Sequence, residues 1–301
     1  RIRHVQHSRI HTYQLMFYTT ALVLGLAFGA MALGVFLSMR IFSIPDITTD
    51  GSFTLGGAVT AIGLVNGWSA VALLPVALVA GGLAGAATGW IHTRLKVHAL
   101  LAGILVMTGL YSINLAILGR PNVPLLGTDS LFLLFPSTSN ESLRQLWVLT
   151  IVVAALWFGL RWLLRTDFGL SMRATGNNET MIRALGVNTD GRKILGLAFA
   201  NALTALSGYL IVQVQGFADI NMGIGIVILG LGAVMIGESL LRGGIRSRIG
   251  WQLASVIAGS LVFRLLLAFA LSMGIDALWL KLVVAVFVLI VIALPKLKTA
   301  R

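Results

Sequence analysis

Ile44-Pro-Asp-Ile-Thr-Thr-Asp-Gly-Ser-Phe-Thr-Leu-Gly-Gly-Ala58 is the stretch that decides how this chain threads a bilayer. It opens an apolar segment that closes on Asn66-Gly67, yet it enters with Pro45, Asp46 and Asp50. Around it the sequence is uniformly apolar: 57% of the 301 residues are hydrophobic, 11% are charged and the mean hydropathy is +0.94. Apolar runs near 20 residues long read as membrane-spanning helices. Full spans are expected at about 14–39, 69–92, 97–118, 146–164, 194–215, 220–240, 251–271 and 278–294. The expected fold class is therefore all-α: a polytopic membrane helix bundle of about eight full spans, plus a broken or re-entrant segment near 44–66. Residues 1–12 read as a basic cytoplasmic leader and 13–301 as one transmembrane domain. The first apolar run is too long for a cleaved signal and reads as a retained anchor.

Charge governs the treatment of 44–66, because basic loops stay on the cytoplasmic side. If the leader (Arg1, Arg3, Arg9) is inside and 44–66 does not change sides, several basic groups join it. These are Arg94, Lys96, the Arg161–Lys193 cluster, the Arg242–Arg248 loop and the Lys296–Arg301 tail. Arg40, Arg120 and Arg144 remain outside, with Asp46, Asp50, Asp129, Glu141, Asp219 and Asp276. A full crossing would reverse the bias, unless another short helix compensated. The expectation is a segment that returns to its own side, with both termini cytoplasmic. Asp50 is placed to cap a helix starting at Gly51-Ser52. The alternative is a plain outer loop before an ordinary span.

The net charge of +12 is scattered between spans, which argues against a nucleic-acid patch. The absence of cysteine excludes disulfide and thiol chemistry. His4, His7 and His11 lie in the leader without zinc spacing, and no metal or cofactor is expected. Glycines at four-residue spacing, Gly25/Gly29 and Gly81/Gly85/Gly89, mark faces where helix backbones touch, since membrane helices associate by close packing. Gly51-Ser-Phe-Thr-Leu-Gly-Gly-Ala-Val59 echoes Gly225-Ile-Val-Ile-Leu-Gly-Leu-Gly-Ala-Val234, a hint of an internal repeat.

One stretch, Arg165 to Lys193, is polar. The chain is expected to break at Gly176, with Asn177 or Asn178 capping a short helix and Glu179 in its first turn. Met181, Ile182 and Leu185 form its apolar face, and Gly186 ends it as a left-handed cap. Two turns are unstable alone, so this helix needs a surface, either its own protein's membrane face or a groove on a partner. The alternative is a structural turn.

Arg173-Ala-Thr-Gly-Asn-Asn178 followed by Arg183-Ala-Leu-Gly-Val-Asn188 resembles the cytoplasmic loop of ATP-binding-cassette importer permeases of the branched-chain amino acid/ribose type. The Ile44–Ala58 stretch is similar to the subgroup paired with binding proteins of the tryptophan/tyrosine type. The resemblance runs from about Thr20 to Pro295. It implies a multi-pass permease in the bacterial cytoplasmic (inner) membrane, working as a homodimer with a cytoplasmic ATP-binding subunit and a periplasmic or extracellular substrate-binding protein. It assigns the ATPase contact to Arg173, Ala174, Gly176, Asn177, Asn178, Glu179, Ala184, Leu185 and Gly186. Thr180 and Met181 stand where the family often has alanines, which bears on which ATPase fits. No G-x-x-x-x-G-K-[ST] loop occurs, so ATP would be handled by the partner and catalysis by this chain is not expected.

Polar groups at membrane depth usually face the bundle interior. Asp50, Ser52, Thr54, Asn114 and Asn201 are candidates for the pathway or its gate, although residues such as Asn114 and Asn201 more often make interhelical hydrogen bonds. Gln213 and Gln215 read as interfacial. Arg264 is expected to pair with Asp276, Asp50 or Asp46, and Glu238, near Arg242, to touch the partner. Two other readings are an ion-coupled secondary transporter, which would use Asp46 and Asp50 but leave the polar loop unexplained, and a membrane scaffold without transport.

Overall fold

The computed structural model describes residues 2–134, 141–241, 248–276 and 279–299. The 242–247 part of the expected basic inner loop lies outside the described residues, as do the side chains of the leader and of the 296–301 tail. The helices are α1 (Ile2–Phe36, continued by a π-turn at Leu37–Ile41), α2 (Thr48–Val65), α3 (Ala70–Arg94) and α4 (Ala99–Leu118), then α5 (Glu141–Leu163), α6 (Asp167–Asn177), α7 (Glu179–Ala184) and α8 (Thr189–Gln215), and finally α9 (Ile226–Leu240), α10 (Ile249–Ser272) and α11 (Leu280–Thr299). A two-stranded antiparallel ladder joins β1 (Asn122–Pro124) to β2 (Phe217–Asp219).

Among the described residues six helices are long and apolar enough to cross a membrane: Phe17–Ile41, α3, α4, α5, α8 and α10. The protein is a multi-pass helical bundle. The span expected at 220–240 is instead the short α9, and the tally of about eight full spans is not reached among the described residues.

Direction is read from helix contacts. Ser207 of α8 donates to Ala27 O of α1 (2.8 Å), Gly34 abuts Ala200, and Phe42 abuts Gly196. Rising residue numbers in α1 thus meet falling numbers in α8, so the two run antiparallel. α8 leaves directly from the 165–193 loop. Arg40 therefore lies at this loop face, and α1 begins at the opposite, ladder face. The expectation that leader and polar loop share a side is overturned.

So is the expectation that 44–66 stays on one side. After Ile41 the chain turns back, Asp46 meets Asn201 about halfway along α8, and α2 climbs to the ladder face, where Asn66 and Ser69 connect it to α3. The segment changes sides, as a helix whose amino end starts deep in the protein. Charge could not reveal this, because exchanging Arg40 for the leader leaves Arg94, Lys96, Arg161, Arg165 and the 173–193 cations together at the loop face. The α11 helix packs Phe287 on Phe263 and Val288 against Gly232, running back toward that face.

Gly25, Gly81, Gly85 and Gly89 meet backbone as expected, whereas Gly29 meets only the Ser260 side chain. A Cβ on Gly81 would lie 2.6 Å from Asn201 O, and one on Gly85 2.1 Å from Leu197 O. Gly25 and Gly29 face Leu261 and Ser260 of α10. Around these seams a continuous apolar core joins α1, α2, α5, α8, α9 and α10.

Candidate functional site

At the loop face, α6 begins with Thr166, whose hydroxyl accepts from Gly169 N (3.3 Å). This helix was not anticipated, and it runs through Gly176 rather than breaking there. Gly176 serves a different end: a Cβ would sit 1.8 Å from Ile41 O, so only glycine lets α6 lie on the π-turn that ends α1. The break falls at Asn178, which is extended (φ −154°, ψ 92°) and accepts from Met181 N (3.0 Å), the cap expected for α7. Gly186 (φ +85°) closes the helix.

Ion pairs fasten α7 to the start of α8. Lys193 donates to Glu179 (2.6 Å), and Arg183 reaches both Glu179 (3.0 Å) and Asp190 (2.7 Å). Burial opposes the charge on Glu179, but the Lys193 hydrogen bond and the Lys193 and Arg183 charges outweigh it and hold the carboxyl below its usual range. Met181 (59% exposed) and Leu185 (68%) point away from the protein, and Ala184 is exposed beside them. Arg173 and Ala174 are half-buried on α6, and Asn177 is exposed. The arrangement is a rigid short rod with uncovered apolar knobs.

Deep in the bundle two aspartates divide a second task. Asp46, fully buried, accepts from Thr48 N (2.9 Å) and from Asn201 Nδ2 (2.7 Å), and Ser52 donates to Asn201 Oδ1 (2.7 Å). Thr48 and Thr88 share a hydroxyl hydrogen bond (2.7 Å). Asp46 thus caps α2, the part expected of Asp50. Asp50 instead accepts from Gly225 N and Val227 N (2.9 Å each) and caps α9. The amino ends of α2 and α9 therefore meet inside the protein and point opposite ways, a direction the repeat hint did not give. Beside them a cleft of about 40 Å³ is lined by Asp50, Thr54, Tyr111, Asn114, Ile220 and Gly223. Asn114 donates to Gly51 O (3.1 Å), while its buried Oδ1 has no partner among the described residues.

Other expectations move. The Arg264 guanidinium carbon lies 3.7 Å from the centroid of the Phe28 ring. Glu238 pairs with Arg40 at the loop face, joining α9 to the end of α1. Gln213 is buried and accepts from Leu131 N (2.7 Å). Arg40 and the Ile41–Gly176 contact escaped sequence reasoning, since nothing local in the sequence ties α1 to residues so distant.

A family model described as "Branched-chain amino acid transport system / permease component" matches residues 17–293. A tyrosine transport system permease protein of Clostridioides difficile is 37% identical over 268 residues, covering 89% of this chain and 88% of that protein. A ribose import permease protein of Haemophilus influenzae is 27% identical over 236 residues, 77% of this chain and 71% of that one. In fold, the chain is similar to PsaBC from Streptococcus pneumoniae in complex with Fab (TM-score 0.51, 15% identity, 91% of this chain and 89% of that one). With a family match over residues 17–293 and a 37% identical relative covering nearly nine-tenths of both chains, the chain belongs to the family of permease components of branched-chain amino acid transport systems.

Proposed function

We propose that this chain is the membrane-spanning permease of an ATP-driven importer and that α7 is the handle gripped by a separate ATP-hydrolysing subunit. The observation that carries the reading is the exposed Met181/Leu185 pair on a helix locked by two caps and three ion pairs. Apolar side chains on a rigid rod suit a partner groove. The loop face would be cytoplasmic, in keeping with its cations, and the membrane a bacterial inner membrane.

The pathway would form between two copies of the chain, the commonest symmetric assembly. Supporting this, α4 exposes Thr108, Tyr111 and Ser112 at bilayer depth beside the Asp50/Thr54/Asn114 cleft, where lipid would be a poor neighbour. A substrate-binding protein would dock on the ladder face, over a depression of about 780 Å³ that includes Trp68, Arg120, Leu126 and Leu133. The similarity to a tyrosine permease favours an amino acid as cargo. Both aspartates that an ion-coupled carrier would use are engaged as helix caps.

The test pairs the chain with its cognate ATP-hydrolysing subunit. Met181→Glu with Leu185→Glu should abolish co-purification and ATP-dependent uptake in vesicles, while hydrogen exchange in 179–193 stays as in the parent. Undiminished association would overturn the assignment of α7. Uptake driven by an ion gradient in the chain alone would overturn the importer reading.

A further inference from the structure

At the loop-face end of α5 and the start of α10 lies a pocket of about 240 Å³, lined by Trp157, Arg161, Arg165, Arg248, Gly250 and Trp251. No carboxylate lines it, and none of its three arginines forms an ion pair among the described residues. Its wall is built. Trp157 Nε1 donates to Gly250 O (2.9 Å), tying α5 to α10, and the Arg161 guanidinium carbon lies 4.9 Å from the centroid of that same tryptophan ring. Gly250 leaves room for Arg161: a Cβ there would stand 3.3 Å from its Nε.

We propose that this pocket binds the phosphodiester headgroup of an anionic phospholipid. Guanidinium forks match phosphate oxygens two at a time. Basic pockets between membrane helices on the cytoplasmic side suit such headgroups. The depth fits as well, since the site spans the last turns of α5 and the first turn of α10, where tryptophans gather at the membrane interface. Its rim carries Trp251 (54% exposed), and Phe158 (64%) and Trp162 (71%) lie uncovered on the same end of α5, a surface for acyl chains. A soluble acidic partner would gain nothing from aromatic walls at this depth. Only the choice of leaflet rests on the cytoplasmic assignment of the loop face; binding does not.

The experiment uses the purified full-length chain in detergent and native mass spectrometry. Phosphatidylglycerol and cardiolipin are compared with phosphatidylcholine, with inorganic phosphate as a competitor. The parent should retain the anionic lipids preferentially. Arg161→Gln with Arg248→Gln should lower retention by about fivefold per arginine removed. Arg94→Gln with Lys96→Gln, which removes the same charge elsewhere on the loop face, should leave it unchanged. Arg165→Gln alone gives a second reading if the double variant fails to fold, with a loss of about fivefold expected. Equal retention of all lipids, an equal loss in the control variant, or displacement by millimolar phosphate would overturn the proposal. Side-specific labelling that placed the loop face outside would change the leaflet and leave these ratios intact.

Discussion

Asp50 shows how much one side chain carries at bilayer depth. Its two oxygens take the Gly225 and Val227 N–H groups that α9, like any helix, leaves without an internal partner. Asp50→Ala takes the acceptor from both donors, at about 1–3 kcal/mol each. Unfolding in mixed micelles should show that loss, and Asp50→Asn, which keeps one acceptor oxygen, a smaller one; equal curves for alanine and parent would refute the capping role. A carboxylate cap at this position was legible in the sequence, but not the helix it serves, because α9 lies 175 residues away along the chain. Glu179 carries a pH dependence. Its carboxyl is held below the usual range, so its stabilising effect is complete above the ordinary carboxylate pKa and is lost as pH falls through the depressed value. The side chain is 35% exposed, which makes the effect small. Hydrogen exchange in 179–193 should quicken on acidification below about pH 4, near the free glutamate value. Glu179→Gln should exchange faster at neutral pH and flatten that response.

At the scale of elements, small residues set the spacing and side-chain caps set the ends. The α3–α8 seam is the clearest case. Gly85 lies against Leu197 O, whereas Gly82, one step round the same helix, would place a Cβ 3.8 Å from its nearest neighbour. Gly85→Val should therefore push α3 from α8 and lower the unfolding temperature and yield, while Gly82→Ala should be neutral or mildly stabilising; matching melting curves would show that the seam tolerates separation. Long apolar spans were legible because lipid imposes their length, and α7 because Asn178, Glu179 and Gly186 are local signals. The β1–β2 ladder was not legible, since it pairs three-residue strands that mean little until α4 and α8 bring them together. The turn at 37–47 was half legible: Pro45 and Asp46 announced a break, but not that α1 would first loosen into a π-turn with Phe42 N bonded to Leu37 O (3.2 Å). That turn touches α6 through Gly176 and α9 through Arg40–Glu238. A push on the loop helices thus has a packed route to the amino end of α2.

For the whole molecule the governing feature is an inverted pair of halves. In one, α1 descends to the loop face, the chain breaks, α2 climbs from the interior, α3 descends and α4 climbs. In the other, α8 climbs, the chain breaks, α9 descends from the interior, α10 climbs and α11 descends. Each break leaves a helix amino end inside the bundle, and Asp46 and Asp50 cap the two. Such opposed half-helices around a central site suit alternating access, in which one half rocks against the other. The arrangement fixes which parts share a face, and the lack of any native cysteine makes that easy to test. Single cysteines at Leu126, His7 and Leu185 divide the alternatives. In intact spheroplasts a membrane-impermeant maleimide should label the first two and spare Leu185→Cys, which should react only after lysis. Labelling of His7→Cys together with Leu185→Cys would restore the shared-side reading that charge suggested and would reverse α1. Cysteines at Thr108 or Ser112 extend the test to assembly. If two copies meet along α4, oxidation should cross-link one of these positions into a covalent dimer, whereas Phe158→Cys, on the lipid-facing side of α5, should stay monomeric.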